Sequence, residues 1–146
     1  MNMPAITQLT PLERLRLAGI SPSRQRLMIA TTLFEYGDHV TAQKLHHRVN
    51  RDFGPICRAT IYNTLNLLVD KGLVRALAVE THLTYYDPHP HPHPHLYHED
   101  SCELWDLEPV EVKLPALPAR LEVTQVDMIV RVRSKDQQSP SDGTGD

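Results

Sequence analysis

Residues 57–72 read CRATIYNTLNLLVDKG, and the fold turns on how this stretch is read. Ile61, Leu65, Leu68 and Val69 recur at helical spacing and make one apolar stripe, while Arg58, Tyr62, Asn63 and Asn66 fall on the other face. Gly72 supplies the stop. A helix face of arginine, tyrosine and amides suits phosphates and base edges: a tyrosine ring packs on a thymine methyl, and an amide or guanidinium reaches an acceptor. The plainer alternative is a solvated face with one partly packed tyrosine.

Upstream, three shorter helices are expected. In TPLERLRLAG, Thr10 and Glu13 have capping-box spacing, Pro11 takes the first helical position and Gly19 closes the end. In SRQRLMIATTLFEYG, Ser23 caps and Gly37 terminates, with Leu27, Ala30, Leu33 and Phe34 on one face. In VTAQKLHHRVNRDFGP, Thr41 caps, Leu45, Val49 and Phe53 step along a buried stripe, and Gly54-Pro55 ends the helix. Downstream the period changes to two: LVRALAVE and LTYYD read as strands around ETH, a β-hairpin. Short helices followed by a hairpin outline a winged helix-turn-helix, whose last helix enters the major groove. The competing outline is a small helical bundle with an appended hairpin.

Charge divides along the chain. The whole carries a net charge of -3, yet residues 1–84 hold ten Lys and Arg against six Asp and Glu, and residues 85–146 hold five against twelve. A basic half precedes an acidic one, as expected if only the first meets nucleic acid. Two cysteines, Cys57 and Cys102, exclude a disulfide framework or a four-cysteine zinc site. The N-terminal segment lacks the pattern of a secretion signal and there is no bilayer-length apolar run, so a cytoplasmic protein without membrane contact is expected.

The acidic half opens on DPHPHPHPHLYHED, residues 87–100, which holds five of the nine histidines. In an extended chain, residues two apart project to the same side at roughly 6.5–7 Å, close enough for two rings to converge on one ion. LWDL, VEVKL and VTQVDMIVRV then read as extended, the last with Val126, Met128, Val130 and Val132 on one side. PALPAR is too rich in proline for a long helix. DQQSPSDGTGD has the composition of a disordered tail.

GISPSRQR, HVTAQKLHHRV, ATIYNTLNLLVDKGLV, YYD, and HPH ahead of LWD occur in this order over roughly residues 15–133. On these motifs the chain resembles the ferric uptake regulator family, and its wording is most similar to the iron response regulator branch. The resemblance implies an α+β chain: an N-terminal winged helix-turn-helix domain over residues 1–84, a small mixed α/β metal-binding and dimerisation domain over 85–133, and a tail over 134–146. It implies a homodimeric, metal- or haem-responsive regulator of iron homeostasis that binds double-stranded operator DNA and is no enzyme. Carried over residue by residue, the metal ligands are His39, Asp87, His93, His95 and Asp106, holding iron(II) or manganese(II), with zinc(II) a further fit. Tyr62 and Asn63 reach DNA, joined by Arg58 and Thr60, with Arg24 and Arg26 near Ser21, where relatives often carry a basic residue. Similarity to the haem-sensing branch adds His91, His93, His95 and His98 as haem ligands. His46, His47 and His82 read as structural.

Two other functions compete. A histidine-rich metal store or chaperone would use the HP run as an ion buffer and need no reading helix. A zinc hydrolase on His93, His95 and Asp106 would require a general base and an open ligand position, and no HExxH or nucleophile motif accompanies them.

Overall fold

A computed structural model of the protein describes residues 8–89 and 91–135. The chain divides into two compact units at the bond between His91 and Pro92.

The first unit contains α1 (Pro11–Leu17), α2 (Arg24–Tyr36), β1 (Val40–Thr41), α3 (Ala42–Phe53), α4 (Arg58–Asp70), β2 (Arg75–Glu80) and β3 (Leu83–Asp87). The caps form as their residues dictate. Thr10 and Glu13 close the capping box of α1, with the Thr10 N–H donating to the Glu13 carboxylate at 2.8 Å. Ser23 and Thr41 accept from the N–H groups of Arg26 and Lys44 at the starts of α2 and α3. Leu15, Ile29, Leu33, Leu45, Val49, Ile61, Leu65 and Leu68 are sealed in one core. Burial of these aliphatic side chains, each contributing about 1.5–3 kcal/mol, holds the short helices together.

The hairpin of β2 and β3 forms where the period changes, and a third strand joins it. Val40 and Thr41 pair with Tyr86 and Tyr85, giving a sheet ordered β1-β3-β2. Two residues are too few for periodicity, so this strand is absent from the sequence reading. Because Tyr85, Tyr86 and Asp87 complete β3, the first unit runs past residue 84, the boundary expected from the sequence. Phe53 is a second correction: expected on the buried stripe of α3, it is 44% exposed. It is the last residue of its helix, and Gly54 turns the chain away before anything packs over the ring.

The second unit contains β4 (His95–His98), β5 (Glu103–Asp106) and β6 (Ile129–Val132). β4 lies in the middle, antiparallel to β5 and parallel to β6. Residues 107–128 form neither helix nor strand, so VEVKL and the first half of VTQVDMIVRV join no sheet among the described residues. Val130, expected on one side of this strand with Val132, is 40% exposed. Among the described residues, Pro94, His95, Tyr97 and Leu104 are buried in this unit. An alternating segment with no strand beside it and no core beneath it has nothing to fix it as a strand. Ser134, placed at the start of the expected tail, donates its N–H to Asp100 at 2.8 Å. The rest of that expected tail, residues 136–146, lies outside the described residues.

Cys57 is the N-cap of α4 and makes no capping bond; its Sγ lies 3.1 Å from the Thr60 hydroxyl. Serine would offer an oxygen acceptor to the N–H groups of this first turn, where the Thr60 N–H reaches only the Cys57 carbonyl, at 3.2 Å. Cys57→Ser is expected to stabilise the protein by about 0.5–1 kcal/mol, read as a rise in Tm of a few degrees; a fall would contradict this account of the cap.

Candidate functional site

The first unit brings His39 to Asp87 across 48 residues of chain. Gly37 ends α2 in the left-handed region at φ 66°, and Asp38 and His39 lead directly into β1. The Val40–Tyr86 pairing sets the next residue of each strand side by side. His39 Nε2 lies 3.2 Å from Asp87 Oδ2, and Asp87 is fully buried. A buried carboxylate requires compensating donors. Its other oxygen, Oδ1, receives the His89 backbone N–H at 2.9 Å and lies 3.0 Å from His89 Nδ1.

Asp38, beside His39, is held in turn by Arg48 of α3, whose guanidinium meets both carboxylate oxygens at 2.7 and 2.8 Å and stacks over the Tyr36 ring at 4.2 Å. The hydrogen bonds from Arg48 keep the Asp38 carboxyl below its ordinary range. The loop carrying His39 is thus pinned on one side by a ladder and on the other by a fork.

In the second unit His93 and His95 converge on one oxygen. His93 Nε2 is 2.7 Å and His95 Nε2 3.5 Å from Asp106 Oδ1, with ring centroids 4.3 Å apart. The register explains this: His95 sits opposite Asp106 in the β4–β5 ladder, and His93 projects to the same side two residues earlier. The intervening Pro94 costs no ladder bond, because its carbonyl accepts from Leu107 N–H at 2.9 Å while its missing donor is not required. His95 is 1% exposed. Each unit therefore presents an imidazole–carboxylate set without thiolate, the donor chemistry of intermediate divalent cations.

The residues singled out for haem are spread. His93 and His95 are turned to Asp106. His98, at the far end of β4 and roughly 10 Å along the strand from His95, engages Ser101 and Ser134. His91 is exposed on the segment preceding β4.

The residues singled out for DNA lie on the first unit. Tyr62 is 49% exposed on α4, and Arg58 and Asn63 are exposed beside it. Arg26, Thr60 and Asn63 line one open hollow of about 360 Å³ with Ser23 and Gln25. Arg58 and Tyr62 line a smaller one of about 130 Å³ with Gln43 and His46. Arg24 opens on a third hollow beside Phe53. Two residues along a helix turn the side chain by about 200°, so Arg24 and Arg26 serve different faces.

Sequence reading passed over three side chains that hold these surfaces. Arg48 carries no local signal of its partner. His46, read as structural, lies with Nε2 2.7 Å from the Ile56 carbonyl, while Asn50 Oδ1 accepts the Ile56 N–H at 2.8 Å. This i, i+4 pair clamps both backbone groups of the turn that launches α4. Only the four-residue spacing of His46 and Asn50 hinted at it.

Fold and side chains together define a winged-helix DNA-binding unit joined to a small mixed unit, each carrying an imidazole–carboxylate set. The ferric uptake regulator family model matches residues 18–127, and the chain belongs to that family. Similar sequences include a zinc uptake regulation protein of Mycobacterium tuberculosis, 36% identical over 69 residues, covering 47% of this chain and 53% of that protein. A peroxide-responsive repressor of Staphylococcus aureus is 36% identical over 73 residues, covering 50% and 49%. The chain thus spans about half the length of the curated relatives it matches. Among solved structures, the ferric uptake regulator of Helicobacter pylori, described with three functional metal-binding sites, is similar in fold: TM-score 0.68, 18% identity, 97% of this chain and 99% of that one.

Arg48→Ala removes the fork on Asp38 and the stacking on Tyr36, and is expected to cost about 1–2 kcal/mol after allowance for the partial exposure of Asp38. Because the carboxyl is depressed in the folded state, the contribution is present at neutral pH and is lost as pH falls below about 4. Chemical denaturation of both proteins should show a gap at pH 7 that closes in acid; a gap that widens there would contradict the pairing.

Proposed function

We propose that the chain is a metal-dependent transcriptional regulator that reads an operator in double-stranded DNA as a homodimer. The observation that carries this is the pairing, in one chain, of an exposed reading helix with an imidazole–carboxylate set on each unit. His39 and Asp87 from the first unit and His93, His95 and Asp106 from the second would hold one divalent cation. Two carboxylates and three imidazoles exceed the four ligands of a structural zinc site and favour iron(II) or manganese(II), with zinc(II) a competitor. The bound ion supplies positive charge that holds donors of both units together. An ion that binds one arrangement of the units more tightly shifts the population toward it, and so changes how two copies of α4 meet their half-sites. Genes of iron supply are the targets this reading favours.

The second unit supports the dimeric reading. Val110, Val112, Leu114, Leu121, Val123 and Val126 are each at least 42% exposed along residues 107–128. A second copy is the partner that would cover them, since one copy has little core to offer.

The test is selection of duplexes bound by the full chain from a random library, followed by fluorescence anisotropy at fixed salt with manganese(II) or with chelator. The metal is expected to change specific affinity by about tenfold or more, and His39→Ala to abolish that response. Tyr62→Ala should weaken specific binding by about 1–3 kcal/mol with or without metal. Specific binding that ignores every metal would remove the sensor reading, and no specific binding at all would remove the regulator.

A further inference from the structure

α4 starts differently from the helices before it. The side chains of Thr10, Ser23 and Thr41 cap α1, α2 and α3, whereas Cys57 at the head of α4 makes no side-chain capping bond. What holds this helix start comes from α3. Ile56, the residue before Cys57, is buried, and both of its backbone polar groups meet side chains one helical turn apart on α3. Asn50 Oδ1 accepts the Ile56 N–H at 2.8 Å, and His46 Nε2 lies 2.7 Å from the Ile56 carbonyl. We propose that His46 and Asn50 are positioning residues for operator recognition: they fix the angle of the reading helix through Ile56 and stand in for the cap that Cys57 does not supply. This rests on the reading of the chain as a DNA-binding regulator and names what orients its reading helix.

The proton in the clamp is placed by its partners. A carbonyl only accepts, so Nε2 of His46 carries the hydrogen in its contact with Ile56. Asn50 Oδ1 is committed to the Ile56 N–H, which leaves Asn50 Nδ2, also a donor, 3.1 Å from His46 Nε2. Two donors do not bond each other. Each side chain is therefore held by the Ile56 backbone, and neither replaces the other.

A buried turn whose carbonyl loses its donor must move to find another. Arg58 follows two residues after Ile56 and Tyr62 six, both exposed on α4, so a moved turn carries both with it. Contacts to base edges are directional, and a tilted helix loses them. His46 also lines the hollow that contains Gln43, Arg58 and Tyr62, so direct contact with a DNA phosphate is the competing role. The two roles separate by the duplexes they serve. A phosphate contact helps every sequence, whereas the angle of α4 matters only where bases are read.

The test is fluorescence anisotropy of the full chain and its variants on the selected operator and on a scrambled duplex, at fixed salt, with and without manganese(II). Circular dichroism and Tm report the folding of each variant. His46→Phe keeps a ring and removes the donor; it is expected to weaken operator binding about tenfold and to change binding of the scrambled duplex by less than about twofold. Asn50→Leu, which removes the other half of the clamp, should show the same selective loss. His46→Gln, whose Nε2 stands the same number of bonds from the backbone and always donates, should stay within about threefold of the parent on the operator. Cys57→Ser, by capping α4 directly, is expected to recover about threefold or more of the loss in the His46→Phe background. An equal loss on both duplexes overturns the proposal in favour of a phosphate contact by His46. Parent-like operator binding by His46→Phe and Asn50→Leu, or a His46→Gln variant as weak as His46→Phe, overturns it and leaves the regulator standing. A parent chain that binds no duplex specifically removes the regulator reading and this proposal with it.

Discussion

The contact on which the rest depends is the two-residue ladder of Val40 and Thr41 on Tyr86 and Tyr85. It closes the wing onto the helices and, in the same step, sets His39 beside Asp87. Asp87 is buried, so its carboxyl group holds its place only while partners compensate it. The histidines at its two oxygens supply that compensation.

The two units differ in what holds them. The first has a continuous aliphatic core beneath four helices and a sheet, with caps at the starts of α1, α2 and α3. The second has three four-residue strands and little buried besides Tyr97 and Leu104. Its exposed valines and leucines gain a purpose if a second copy covers them, and its donors gain strength if an ion holds them. Stability and regulation are then coupled by mass action, because whatever binds the assembled form also stabilises it.

Much of the first unit was legible because its signals are local. Thr10, Ser23 and Thr41 mark helix starts by chemistry confined to one turn, and the Ile61–Leu65–Leu68 stripe needs no knowledge of what packs against it. β1 was not legible, since two residues carry no period and its existence depends on β3, more than forty residues away. VEVKL failed for the opposite reason: its alternation is clear, but no strand among the described residues pairs with it. Of the site, the His93–His95 pair could be read from spacing, whereas His39 and Asp87 came only through family resemblance. His89 was indistinguishable from His91 in a repeat, and only the placement of Asp87 tells them apart. Arg48 is legible only once Asp38 is known to sit at its end of α3.

A cation held by donors from both units is proposed to fix their arrangement. Cys57 in the first unit and Cys102 in the second are both exposed thiols, so each takes a nitroxide label without further substitution. Pulsed electron resonance of the labelled chain would compare the Cys57–Cys102 distance distribution with chelator and with diamagnetic zinc(II). A broad distribution that narrows with zinc, and stays broad in a His39→Ala/His93→Ala variant, is expected. A distribution that is the same with and without metal would contradict it.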